Sequence, residues 1–214
     1  MLLKETFKTC FFLLLISPVL FAQSPVVSLQ PYIFPEFVKS IVLQKGGASV
    51  VASLNYNTIT QEMLFEKDGA KLVLDPEGNI DTIFIQNRKF IIAKQFYFEK
   101  LTNTAVALYV QYQSKAVLAN KSGDANKVLS QAYKKGSVPK IDPYSLKLPD
   151  NYTLQTNNKY WLQKGSEFIQ ASNIKKITDL FPGKETQINN YIKENNISLT
   201  DENDLIKLIS FSNK

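Results

Sequence analysis

The chain is 214 residues long, carries 25 Lys and Arg against 19 Asp and Glu for a net charge of +6, and contains one Cys and no His. Without His there is no Ser-His-Asp or Cys-His catalysis and no His-ligated metal, because the proton shuttle or the ligand is missing. Every basic residue except Arg88 is Lys, and a diffuse Lys coat lacks the bidentate fork that phosphates and bases favour, so no nucleic-acid partner is expected.

Lys4 and Lys8 lead into Cys10–Ala22 (CFFLLLISPVLFA), an apolar run broken by Ser17-Pro18. A charged start, a short apolar core and a small residue at its end predict a secretory signal peptide over 1–22, cleaved after Ala22. The run is shorter than the roughly 20 residues a membrane span needs, so the chain is membrane-associated only if the peptide stays uncleaved. Cleavage removes Lys4, Glu5, Lys8 and the only Cys, leaving 192 residues at net charge +5 with no thiol and no disulfide. Such a chain must be held by its own core. Export without a disulfide fits a bacterial periplasm, outer membrane or medium.

Residues 23–114 read as an antiparallel β domain. Pro25, Pro31 and Pro35 keep Gln23–Phe37 extended, and Tyr32, Phe34 and Phe37 are expected to pack on the first hairpin. Over Lys39–Leu74, Ala48, Val50, Ala52, Leu54 and Tyr56 alternate with Ser49, Val51, Ser53 and Asn55, the period of a strand. Lys45-Gly46-Gly47 and Lys67-Asp68-Gly69 are hairpin turns. Asp75-Pro76-Glu77-Gly78-Asn79 is another turn, and it lacks the alternating acids and closing Glu of a calcium loop. Ile80–Ile85 is a strand, Gln86-Asn87-Arg88-Lys89 a turn, and Phe90–Ile92 its return. Phe96–Leu101 and Thr104–Tyr112 pair around Thr102-Asn103.

Periodicity is lost over 115–150, which reads as a loop or linker with one short helix, Ala125–Tyr133. In 151–214, Tyr152–Leu154 and Lys159–Gln163 flank Asn157-Asn158 as a small hairpin. Three helices follow. Ser172 or Asn173 caps Ile174–Phe181, which Pro182-Gly183 stops. Lys184–Asn195 carries the stripe Ile188, Tyr191, Ile192, and Thr200 caps Asp201–Phe211 with the stripe Leu205, Leu208, Ile209. The predicted class is therefore α+β: an antiparallel β-meander curled into a barrel or stacked sheets, then a small hairpin and a three-helix C-terminal module.

The residues give no catalytic set, no metal site and no cofactor motif; neither a G-x-x-x-x-G-K-[ST] nor a G-x-G-x-x-G stretch occurs. The candidate binding residues are Asn55, Tyr56 and Asn57, amides flanking an aromatic at the end of the strongest strand, with Glu62 and the lone Arg88. The same amides also suit a turn satisfied by side-chain-to-backbone bonds. Glu62 and Glu66 share a strand face about 13 Å apart at roughly 3.3 Å per residue, wider than the roughly 5–10 Å a glycosidase pair needs. Asp81-Thr82-Ile83 matches a short O-glycosylation pattern that matters only if Thr82 faces out.

Leu54-Asn55-Tyr56-Asn57 with Gln61-Glu62-Met63, the stretch Asp81–Phe90 (DTIFIQNRKF) and the tail from Leu180 to Leu208 together resemble a group of uncharacterised exported β-rich proteins of Gram-negative bacteria. The last element, Asp201–Leu208, departs slightly from the group's pattern. The group has no assigned activity, so the resemblance implies export and fold alone.

Three functional readings follow. The first is an exported, non-catalytic binding or structural protein of the envelope, taking an envelope protein, a peptide or a polymer. The second is a lipocalin-like carrier of an apolar ligand, lined by Phe84, Phe90, Phe96, Tyr97 and Phe98. The third is a carboxylate-dependent hydrolase with two acids converging in one cleft.

Overall fold

The structure is a computed structural model and describes residues 30–118, 144 and 152–214. The expected signal peptide, the predicted helix Ala125–Tyr133 and most of the predicted loop 115–150 lie outside those residues.

Ten strands form one antiparallel sheet. In chain order they are β1 (Val38–Gln44), β2 (Ser49–Asn57), β3 (Glu62–Lys67), β4 (Ala70–Val73), β5 (Ile80–Ile85), β6 (Arg88–Ala93), β7 (Phe96–Lys100) and β8 (Val106–Gln111), with β11 (Lys159–Lys164) and β12 (Glu167–Gln170). The spatial order is β12-β11-β8-β7-β6-β5-β1-β2-β3-β4. The sheet curls into a half-barrel, as a twisted meander must to cover its apolar face. The class is α+β, as predicted. The Asp68-Gly69 turn is the two-residue type the sequence calls for, with both residues at positive φ (52° and 76°).

β9 (Ser114–Leu118) and β10 (Tyr152–Thr156) pair with each other and not with the large sheet. β9 continues β8, and β10 leads into β11. Asn157 N–H donates to the Gln113 carbonyl, and Gln113 N–H to Asn158 Oδ1. The Asn157-Asn158 pair therefore bends a long two-stranded ribbon and does not reverse it, contrary to the predicted hairpin. The Asn157 backbone N–H and the Asn158 side-chain oxygen fill the ladder positions a bend leaves open. The hairpin at this end is β11–β12, and it sits in the large sheet because Leu162 faces Leu108 across β8. Ser114–Leu118 is strand and not the start of a loop; its apolar signal is limited to Ala116, Val117 and Leu118.

Three helices close the chain: α1 (Ile174–Thr178), α2 (Glu185–Glu194) and α3 (Glu202–Ser212). Asn173 caps α1, accepting from Lys176 N–H. Asp201, not Thr200, caps α3: its carboxylate accepts from Asp204 N–H, whereas the Thr200 hydroxyl bonds Ser198. Asp is the better acceptor at the positive helix end. Ile188, Leu205, Leu208 and Ile209 are fully buried against Leu108, Val110 and Leu162 on the concave side of the sheet. Each such side chain contributes about 1.5–3 kcal/mol by leaving water. No helix among the described residues is long and apolar enough to cross a membrane.

The rest of the concave side is closed by its own side chains, among them Leu54, Tyr56, Met63, Ile83, Ile85 and Phe90. Tyr56 is the hub: it stacks near Phe90 and meets Tyr97 and Tyr112 edge-on. Its hydroxyl donates to the Tyr112 carbonyl, and the Tyr97 hydroxyl crosses to the Leu74 carbonyl. Burial pushes both phenols well above their ordinary range, Tyr97 further by nearby Asp75 and Glu62, so both remain donors. Phe90 and Tyr97 face this interior, but Phe84, Phe96 and Phe98 belong to the opposite face. Consecutive strand residues alternate sides, so Phe96, Tyr97 and Phe98 cannot line one cavity.

Candidate functional site

The outer face of the sheet carries a second aromatic cluster. Phe98 meets Trp161 at 5.5 Å and Phe168 at 5.0 Å, both edge-on. Trp161 stacks on Phe168 with an interplanar angle of 9° and a centroid separation of 5.3 Å. These rings come from β7 and β11, which flank β8, and from β12 beyond β11, and alternation brings Phe98, Trp161 and Phe168 to one side with Tyr109 of β8.

At one end of this cluster lies a cleft of about 340 Å³. Phe96 and Trp161 supply ring surface to its wall, with Phe98 fully buried beneath them. Gln61, Gln111, Gln113 and Gln170 supply amides, and Lys94 and Lys159 supply positive charge. Phe96 is 42% exposed, a ring left in solvent, whereas Gln111 is nearly buried at 4%. The Trp161 indole N–H is buried and has no hydrogen-bond partner among the described residues, a rare condition for a native donor.

Local geometry holds the cleft open. Gln61 closes the β2–β3 turn in the left-handed region, φ 61°. Asn57 builds that turn: its carbonyl accepts from Gln61 N–H, and its Oδ1 accepts from Ile59 and Thr60 N–H. Gln61 Oε1 then accepts from Gln111 Nε2 at 3.0 Å. Lys94 and Gln95 make the two-residue turn between β6 and β7, both at positive φ, 49° and 65°. This turn type favours Asn-Gly, so two ordinary side chains are held there against a steric cost. Strain of this kind concentrates where a side chain must be presented. Lys94 Nζ ends 4.6 Å from the Trp161 ring centroid.

None of the sequence-predicted binding residues lines this cleft. Asn55 is fully buried and holds the chain before β1: its Oδ1 accepts from Phe34 N–H, and its Nδ2 donates to the Phe34 and Glu36 carbonyls. Tyr56 lies in the concave core, and Asn57 shapes the turn that presents Gln61. Glu62 Oε2 accepts from the Tyr144 hydroxyl at 3.2 Å. Thr82 is buried, with its hydroxyl on Asp81 Oδ2, so the Asp81-Thr82-Ile83 pattern does not present an outward acceptor.

Arg88 is the first residue of β6, not part of a turn, and its place in the ladder opposite Ile85 aims it inward. Its guanidinium binds Glu99 Oε2 through Nε at 2.8 Å and through a second, shorter contact from its terminal nitrogen. Tyr112 Oη accepts from Arg88 and donates to Glu99. Phe34, Phe90 and Tyr112 flank the cation with ring centroids 5.0–5.5 Å away. Burial alone would weaken the guanidinium's hold on its proton, but Glu99 and Tyr112 outweigh it and the net shift is upward. Burial, reinforced by Glu99, pushes the Tyr112 phenol far above its ordinary range. This closed triad ties β6 to β7 and β8. Glu202, half-buried at the start of α3, senses it: burial and the Glu99 charge raise its carboxyl above the usual range.

Among the described residues no three His, Cys, Asp or Glu gather as a metal would require. The chain matches no protein-family model, no curated protein and no solved structure.

The signal for the cleft was thin in the sequence. Its amides come from positions 61, 111, 113 and 170; Gln111 and Gln113 share a face by alternation, and nothing local links them to the other two. The one readable oddity is Ala93-Lys94-Gln95-Phe96, a tight turn without Gly or Asn.

Proposed function

We propose that the protein is an exported, non-catalytic binding module that holds a glycan in the outer-face cleft. The observation that carries this reading is the lining itself: two partly exposed rings, Phe96 and Trp161, and four amides converge, with no carboxylate, thiol or hydroxyl side chain among them. Rings offer an apolar platform for the C–H faces of a sugar. A glutamine amide carries two donors and an acceptor, the complement of adjacent hydroxyls; Gln113 and Gln170 offer theirs, while Gln61 and Gln111 share one hydrogen bond with each other. An apolar wall with a few convergent polar groups is the common composition of a small-ligand site. The chemistry is that of recognition, because nothing in the lining can serve as a nucleophile paired with a carboxylate acid. Export is supported by the N-terminal segment Met1–Ala22 and by the absence of Cys after residue 22.

Affinity electrophoresis through gels containing a panel of soluble polysaccharides tests the reading. At least one polysaccharide retards the wild-type chain, and Phe96→Ala or Gln170→Ala relieves the retardation. Free migration through every gel refutes it. The address is tested separately by fractionating cells that express the full chain and determining its N-terminal residue.

A further inference from the structure

Resting on the reading of the cleft as a glycan site, we infer that its ligand is an acidic polysaccharide whose sugar rings carry carboxylates. Lys94 and Lys159 both line the cleft, no acidic residue does, and neither Lys makes an ion pair among the described residues. Two ammonium groups facing a shared space repel each other, and an anionic ligand removes that repulsion while forming charge-assisted hydrogen bonds.

The position of Lys94 discriminates further. Its Nζ occupies ring surface of Trp161 that a sugar would otherwise use. A neutral sugar must displace the ammonium from a favourable cation–π contact and gives it nothing equivalent in return. A carboxylate on the sugar draws Nζ off the ring into a salt bridge, and the vacated indole face receives the same sugar's C–H groups. The strained turn fits this role, since both of its residues are held at positive φ with Lys94 at the cleft rim. Charge and platform are thus coupled through one side chain.

A single-stranded nucleic acid also joins anionic groups to stackable rings. The four amides favour hydroxyl-rich rings. Phosphate recognition favours Arg, and the chain's single Arg is enclosed by Glu99 and Tyr112.

Titration calorimetry of the purified full-length chain with oligogalacturonate, the neutral maltohexaose and a dT oligonucleotide tests the inference. The expected result is binding of oligogalacturonate at least tenfold tighter than of either other ligand. Lys94→Gln and Lys159→Gln should each weaken it about tenfold, the scale of one charge-assisted hydrogen bond. Raising salt should weaken wild-type binding as well, a readout that needs no variant to fold. Equal affinity for maltohexaose, with no effect of salt or of either substitution, overturns the acidic-ligand inference and leaves the glycan reading standing. Preference for the oligonucleotide overturns the inference. Binding of neither sugar, together with free migration on the polysaccharide panel, overturns both readings.

Discussion

Gln61 and Gln111 lie 50 residues apart and meet through one amide–amide hydrogen bond, Gln111 Nε2 donating to Gln61 Oε1 at 3.0 Å. The bond fixes the β2–β3 turn against the end of β8 and so sets one wall of the cleft. Gln111→Ala removes it. Its stability cost is about 0.5–1.5 kcal/mol, that of an ordinary hydrogen bond, while glycan affinity falls about tenfold. Urea unfolding and calorimetry on the same variant separate the two effects; unchanged affinity would remove Gln111 from the binding surface.

Arg88 and Glu99 form the one ion pair that is substantially enclosed, since the other two among the described residues lie on exposed helix faces. Arg88→Met strands the largely buried Glu99 carboxylate beside Tyr112, and because Arg88 itself is partly exposed the cost is that of losing a charged hydrogen bond, about 1.5–3 kcal/mol. The double variant Arg88→Met with Glu99→Leu recovers most of that loss, because no charge is left buried. Urea midpoints of the three proteins test this. A double variant no more stable than the single would show that the pair itself, and not its satisfaction, holds β6 to β7.

The Lys94-Gln95 turn separates stability from binding. Gln95→Gly relieves a left-handed residue and stabilises the fold by about 1 kcal/mol, with affinity unchanged. Lys94→Asn combined with Gln95→Gly stabilises further and loses about tenfold in affinity for the acidic ligand, the worth of one charged contact. Thermal unfolding and calorimetry read both. A destabilised Gln95→Gly would mean that the side-chain bond from Gln95 to Glu77 outweighs the backbone cost.

Glu202 gives the fold a pH signature. Burial, then the charge of Glu99, raises its carboxyl, partly offset by Arg88. The folded chain therefore holds this proton more tightly than the unfolded chain does. The stabilising effect is complete below the ordinary Glu value of about 4.3 and is lost as pH rises through the raised value. Glu202→Gln lacks that loss, so the wild-type-minus-variant difference in thermal midpoint falls between pH 4 and pH 7, at about 2–4 °C per kcal/mol. A difference that is flat or rises with pH would contradict the assignment.

Much of the sheet was legible in advance because its cues are local. Ala48–Tyr56 alternates, Asp68-Gly69 demands positive φ, and Ile188, Tyr191 and Ile192 fall three and four apart. What failed depended on partners distant in sequence. Arg88 reads as turn because Gln86, Asn87 and Lys89 surround it, and only Glu99, across the sheet, explains it as strand. Asn157-Asn158 carries a hairpin signal, yet the ladder between β8–β9 and β10–β11 absorbs the Asn157 N–H and the Asn158 side chain into a bend. Asn55, Tyr56 and Asn57 have the residue types of a binding strip, but their hydrogen-bonding groups serve the chain's own backbone and core. The cleft was invisible because curling of the sheet, not any motif, assembles its amides.

Trp161 is the only tryptophan in the chain, and it stands in the cleft wall, so its fluorescence reports occupancy directly. The decisive measurement is a titration of that emission with oligogalacturonate, in the wild type and in Phe96→Ala. The account predicts a saturable change in the wild type, as Lys94 leaves the indole ring and a sugar replaces it, and a right-shifted curve in the variant. Saturable glycan binding seen by calorimetry with the Trp161 emission unmoved would place the ligand elsewhere and contradict the account.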